Sequence, residues 1–177
     1  MPLVKGGEIT ADRYVRILDD APIPASGAVL IAAERFLADA AEFAARQAET
    51  GVIWPNNRDI DDLVPYLDRL AAVALVFPSF RDGRAYSQAR ILRERHGYRG
   101  ELRATGNILP DQLQFMLQVG FDAFEISDRF PLAQWQQAAR RMSLAYQRGL
   151  FRRGSEAEVW TERHTDAEPW LEQPHAG

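Results

Sequence analysis

Apolar residues in this chain fall into two patterns. Continuous runs of strand length occur at 28–33 ("AVLIAA"), 51–55 ("GVIWP") and 72–80 ("AVALVFPSF"). Between them, apolar side chains recur every three or four positions: Phe36, Leu37, Ala40 and Ala44 within 34–47, then Ile60, Leu63, Val64, Leu67 and Leu70, then Ala85, Ala89 and Leu92. The first pattern predicts buried strands and the second predicts helices with one packed face. Pro65 fits the second helix if Asp61 caps it, because first-turn N–H groups have no intrahelical acceptor. "ELRAT" (101–105) and "FDAFEIS" (121–127) add two more strands. The segment "NILPDQLQFMLQVG" between them predicts a helix started by Pro110 and Asp111 and stopped by Gly120. A last helix begins near Pro131 and carries Leu132, Trp135, Ala139, Met142 and Tyr146 on one face.

Ahead of this series, "LVKGGEI" and "RYVRIL" within residues 2–18 predict two short strands in a hairpin, with Gly6 and Gly7 bending the first. Strands alternating with single helices imply right-handed crossovers and a parallel sheet. The 72–80 run is apolar on both faces, as a strand covered by helices on both sides would be. The expected fold is therefore α/β: a five-stranded, mostly parallel sheet with helices on both faces, preceded by an N-terminal β-hairpin. An incomplete β/α barrel is the alternative, because both architectures repeat the same unit. The expected division is 1–20 for the hairpin, 26–150 for the α/β domain and 151–177 for a polar C-terminal tail. Trp160 and Trp170 are the exceptions in that tail, suited to docking on the domain or on a partner.

Composition narrows the chemistry. The 177 residues contain no cysteine and three histidines, two of them in the tail. Thiol catalysis, disulfides and Cys-ligated metal centres need residues this chain lacks, and a His-based metal site is not expected. A net charge of −4 argues against a general nucleic-acid binder. The N-terminus lacks a basic segment followed by an apolar core, and no apolar run approaches the roughly 20 residues that span a bilayer. A cytoplasmic protein without membrane contact is expected. The charge is uneven: Arg81 to Arg103 holds seven arginines against three acids, and 140–153 is basic without an acid.

Ligands of parallel α/β sheets bind at the carboxyl ends of strands. Three loops bring polar groups there: Ser79, Arg81, Asp82, Gly83 and Arg84; Thr105, Gly106 and Asn107; Ser127, Asp128 and Arg129. The first can be an anion site, with a glycine for close approach, a helix start and two guanidinium forks. It can equally be an ordinary Asp-Gly turn with Asp82 as helix cap. Asp122 and Glu125 lie three apart on a strand, hence on opposite faces, and are not expected to cooperate. His96 reads as a helix-end residue. No P-loop, GxGxxG, GxSxG or HExxH motif is present.

The blocks "F-x-DGR-x-YSQAR-x-LR", "GELRA-x-G", "DQL" and "GFDAFE", within 77–126, resemble a bacterial family of unknown function labelled as an oxidoreductase of sulfite reduction. That family occurs mainly in proteobacteria and is typically encoded beside the sulfite reductase hemoprotein and the phosphoadenylylsulfate or adenylylsulfate reductase. Its motif positions correspond here to Phe80, Asp82, Gly83, Arg84, Tyr86, Ser87, Gln88, Arg90, Arg103, Gly106, Asp111, Gln112, Asp122 and Glu125. Val119 stands where many relatives carry a cysteine. The resemblance implies an accessory role in assimilatory sulfite reduction, supporting or delivering electrons to the sulfite reductase hemoprotein. It also implies a small anion such as sulfite or phosphate, held by Asp82, Gly83, Arg84, Ser87, Gln88, Arg103 and Gly106. A stand-alone enzyme acting on a small anionic sulfur compound or nucleotide, and a ligand-free structural α/β module, are the alternatives. Neither a catalytic residue nor a cofactor is specified.

Overall fold

The computed structural model describes residues 2–17 and 21–140. The expectations for the tail, and for Met142 and Tyr146, lie outside them. The described chain forms one eight-stranded sheet: β1 (Leu3–Lys5), β2 (Glu8–Thr10), β3 (Tyr14–Ile17), β4 (Ala28–Ala32), β5 (Thr50–Trp54), β6 (Leu70–Phe77), β7 (Glu101–Gly106) and β8 (Ala123–Glu125). Its order is β2-β1-β8-β7-β6-β5-β4-β3. Strands β3 to β8 run parallel in unbroken sequence order, and β1 is antiparallel to both β2 and β8.

That order corrects the five-stranded expectation in three ways. The hairpin is Leu3–Thr10, formed by "LVKGGEI" and the next residue and turned by Gly6 and Gly7 at φ +57° and +85°. "RYVRI" pairs instead with β4 and opens the parallel series, giving six parallel strands rather than five. Helices also cover one face and not two. Right-handed crossovers between strands in unbroken order all fall on the same side, because only a reversal of order moves a helix to the other face.

The packing agrees. The main core joins Val29, Ile31, Val52, Trp54, Val73, Leu75, Leu102 and Phe124 to side chains of the helical segments. The opposite face buries Tyr14, Leu30, Ala72 and Ala74 against one another, with only strand residues around them.

The sheet must curl. Seven flat inter-strand spacings would hold its edges about 34 Å apart. The edge strands β2 and β3 are joined by residues 11–13, a link that spans at most about 14 Å. The sheet therefore rolls into a half-barrel, and Arg16 on β3 reaches Glu125 on β8. Small residues line the inside. A Cβ on Gly51 would stand 2.7 Å from Leu30 Cδ2 and 2.9 Å from Ala72 Cβ. The incomplete-barrel alternative fits this architecture.

The helical segments are shorter than their periodicity predicts. Residues 34–47 split into α1 (Ala33–Ala38) and α2 (Ala40–Ala45) at Asp39. Ile60–Tyr66 is a 3-10 helix whose start is capped by Asp59, accepting from the Asp61 N–H at 3.0 Å, and not by Asp61. Its tighter turns suit Pro65, whose ring would meet the carbonyl four residues back in an α-helix. Next come α3 (Arg84–Arg90), continued by a π-helical turn at Ile91–Arg95, then a 3-10 turn at Pro110–Gln112, α4 (Leu113–Val119) and α5 (Leu132–Arg140). Ala85, Ala89 and Leu92 are buried, as their spacing predicts. The π-helical turn presents Arg93 to the carbonyls of Tyr98, Gly100 and Gly120 and to Asp122, tying α3 to both neighbouring loops.

Candidate functional site: the inner charge cluster and the carboxyl edge

Strand alternation puts Glu101, Arg103 and Thr105 of β7 on one face, the inside of the curl. Register sets Arg103 beside Ala74 and Ala123, whose small side chains leave room for a guanidinium. Arg103 has no solvent exposure. Its Nε donates to Glu101 Oε1 (2.8 Å), its Nη1 to Asp12 Oδ2 (2.7 Å) and Glu125 Oε1 (3.0 Å), and its Nη2 to Asp12 Oδ1 (3.0 Å). The Arg103 Cζ lies over the Tyr14 ring, 5.3 Å from its centroid. Lys5 pairs with the second oxygen of Glu101, while Arg16 and the Thr105 hydroxyl donate to the second oxygen of Glu125. Three cations thus face three carboxylates, and each carboxylate oxygen of the cluster has a donor.

Electrostatics follow from this pairing. Burial alone would raise the Asp12 and Glu125 carboxyls. Hydrogen bonds from Arg103 and the Tyr14 N–H outweigh burial at Asp12, and those from Thr105, Arg103 and Arg16 do so at Glu125; both are held below the ordinary range. Burial would lower Arg103, but its three acids raise it. A carboxylate held ionised with its lone pairs occupied is a poor base. The arrangement works as a staple, joining β3 and its approach to β7 and β8 across the inside of the curl.

The staple sets an acid limit. Groups whose folded pKa is lowered stabilise the fold above their unfolded values, 3.8 for Asp12 and 4.5 for Glu125, and lose that contribution as pH falls through their folded values. Asp122, raised by burial, contributes with the opposite sign. Urea unfolding at a series of pH values should show a level midpoint from about pH 8 to about pH 5.5 and a fall below about pH 4.5. A midpoint that rises on acidification would contradict the staple.

The sequence-predicted residues divide between two places. Asp82, Gly83, Arg84 and Ser87 gather at the start of α3 on the carboxyl edge. There the Arg84 Nε and Nη2 donate to the two Asp82 oxygens at 3.0 and 2.7 Å, and this pairing pulls the Asp82 carboxyl down. Gln88 is buried, with its Nε2 donating to the carbonyls of Pro55 (3.3 Å) and Arg58 (2.9 Å). Gly106 ends β7 beneath the same edge. The Asn107 side chain donates to Pro78 O (2.7 Å) and Gln112 to Phe80 O (2.8 Å), so the loops after β6 and β7 form one surface. Arg103 is not part of it: its donors are consumed inside the curl.

Asp122 and Glu125 are separated as expected, Asp122 bonding Arg93 and Glu125 bonding Arg103. The His96 ring meets Asp61 at 2.9 Å. The arginine excess between 81 and 103 is largely matched: Arg84, Arg90, Arg93, Arg95 and Arg103 each pair with an acid. Lys5, Asp12, Arg16 and Glu101 are not among the sequence-predicted site residues, and Thr105, expected in a loop at the carboxyl edge, lies inside the curl and donates to Glu125 instead. The available signal was the alternation Glu101-x-Arg103-x-Thr105, three polar groups on one face of a strand with buried neighbours.

An aromatic patch lies on the carboxyl edge. Phe115, one turn beyond Gln112, and Phe80 are exposed. Tyr86 packs edge-on between Phe115 and Phe77, at 4.8 and 5.1 Å, and burial with help from Asp111 pushes its phenol up to about 12. Arg81 lies 5.4 Å from the Phe80 ring centroid.

Fold and site together define a curled α/β protein whose parallel strands run in sequence order and whose interior is closed by ion pairs. The family model "Bacterial protein of unknown function (DUF934)" matches residues 51–155, more than half of the chain, and the protein belongs to that family. A search of curated proteins gives no match. Among the described residues no helix is long and apolar enough to cross a membrane, and no cluster of three or more His, Asp or Glu side chains is arranged to hold a metal ion.

Proposed function

We propose that this protein is an accessory protein of assimilatory sulfite reduction that supports the sulfite reductase hemoprotein, or delivers electrons to it from a separate carrier. The motif blocks within 77–126 support the pathway. The observation that favours binding over chemistry is the exposure of Phe80 and Phe115 at the carboxyl edge, with Tyr86 packed on Phe115 and Arg81 beside Phe80; Phe80 and Tyr86 belong to those blocks. Aromatic and arginine side chains dominate the buried centres of protein interfaces. The ionisable groups of the inner cluster, by contrast, are occupied by one another. On this reading the hemoprotein docks at the carboxyl edge and the ion-paired interior holds that edge in shape.

The test is genetic. A strain lacking the gene should grow on sulfide or cysteine and fail on sulfate and sulfite. Complementation with the native chain should restore growth, and a Phe80→Glu, Phe115→Glu chain that still folds should not, with loss of co-purification with the hemoprotein. Equal growth of the deletion strain on every sulfur source would remove the proposal.

A further inference from the structure

An open groove of about 320 Å³ lies on the carboxyl edge, between the segment after β7 and the first turns of α5. Pro110, Asp111, Phe130, Gln134, Gln137 and Ala138 line it. Pro110 and Asp111 begin the turn that leads into α4, and Gln134, Gln137 and Ala138 share one stripe of α5 by their spacing of three and four.

The polar groups of this groove are unspent. Gln112, Gln114 and Gln136, from the same helical segments, donate to the carbonyls of Phe80, Ala138 and Gly7 at 2.8, 3.0 and 3.1 Å. The side chains of Asp111, Gln134 and Gln137 make no hydrogen bond or ion pair among the described residues. Asp111 is the one charged lining residue. Arg129, whose Cζ lies over the Phe130 ring at 6.0 Å from its centroid, does not line the groove. A carboxylate and two amide oxygens can accept from a cation, while Pro110, Phe130 and Ala138 offer apolar contact to its stem. A small oxyanion would meet the charge of Asp111 and no lining cation, so this groove is no seat for sulfite or phosphate.

The groove adjoins the aromatic patch. Gln112, next to Asp111, holds the Phe80 carbonyl, Phe115 lies one turn beyond Asp111, and the charge of Asp111 acts on the Tyr86 phenol. We propose that the groove receives an arginine side chain of the partner that covers Phe80 and Phe115. The guanidinium pairs with Asp111, its remaining N–H groups donate to the Gln134 and Gln137 side-chain oxygens, and its stem lies along Pro110 and Phe130. Arginine suits the groove better than lysine, because its planar head carries five donors, is more weakly hydrated and packs on aromatic rings. The inference rests on the docking role proposed above and adds what the partner must present there: an arginine bordered by apolar surface.

The experiment titrates the full chain with N-acetylarginine amide, and with N-acetylcitrulline amide as the uncharged isostere. The side-chain amide resonances of Gln134 and Gln137, assigned from the Gln134→Ala and Gln137→Ala spectra, are followed. The arginine probe should move both, the citrulline probe should move neither at the same concentration, and Asp111→Asn should remove the response. In parallel, Asp111→Asn should weaken binding to the purified hemoprotein about three- to five-fold, by a margin that shrinks at high salt. No shift with the arginine probe, or equal shifts with citrulline, would overturn the site. Resonances that move with protein concentration, or on replacing Arg148, Arg152 and Arg153 together by glutamine, would put a second copy or the chain's own tail in the groove and overturn the partner assignment. Hemoprotein binding that is lost in the Phe80→Glu, Phe115→Glu chain but unchanged in Asp111→Asn removes this inference and spares the docking role. A response to the arginine probe without any hemoprotein binding removes that docking role and keeps the groove as an arginine seat.

Discussion

Replacing Arg103 with alanine should abolish cooperative folding or lower the urea midpoint by more than half. The guanidinium is fully enclosed and donates to Asp12, Glu101 and Glu125 together. Removing it leaves three buried or partly buried carboxylates facing only Lys5 and Arg16. Breaking a buried ion pair from one side costs about 3–5 kcal/mol, because the remaining charge is stranded. Total stability for a domain of this size is about 5–15 kcal/mol. Arg103→Lys keeps the charge but cannot make the forked pair to Asp12, so its midpoint should fall between the two. Arg84→Ala is the control: that arginine is exposed and pairs with a carboxylate that water can serve instead, and its variant should unfold at the native midpoint. If Arg103→Ala unfolds like Arg84→Ala, closure of the curl does not depend on the cluster.

Local pattern reveals the parts of this fold that are local. The runs at 28–33, 51–55 and 72–80 became β4, β5 and β6, and the stripe of Ala85, Ala89 and Leu92 became the packed face of α3 and its π-helical extension. The two faces of the sheet are not told apart by pattern, because burial under a helix and burial inside a curl look alike in sequence. Ala72 and Ala74 are apolar in either case, and only strand order separates them. Placing "RYVRI" in the hairpin failed for a related reason: its partner is chosen by the roll of the whole sheet. The candidate site shows the same division. Asp82, Gly83 and Arg84 are neighbours in sequence and in space. Arg103 finds Asp12 at a separation of 91 residues and Glu125 at 22, beyond any spacing rule.

The second large effect concerns Gly106, where a methyl group should cost at least about 3 kcal/mol. Gly106 has φ +97°, a conformation in which other residues are strained, and a Cβ there would lie 2.4 Å from the carbonyl oxygen of Phe77. That oxygen cannot move freely. It accepts the Asn107 N–H at 2.7 Å, and Phe77 ends the strand from which the Asp82–Arg84 turn departs. The methyl group must therefore push β6 and β7 apart at the edge where Phe80, Tyr86 and Gln112 are held together. Gly97→Ala separates strain from collision: Gly97 has φ +63° with nothing within 4 Å of its Cβ position, so its variant should lose only about 1 kcal/mol. Urea unfolding of the two variants measures the difference. A Gly106→Ala loss no larger than that of Gly97→Ala would mean that the carbonyl of Phe77 yields. In that case the carboxyl edge is softer than its hydrogen bonds suggest, and the patch would have to be ordered by its partner rather than by the fold.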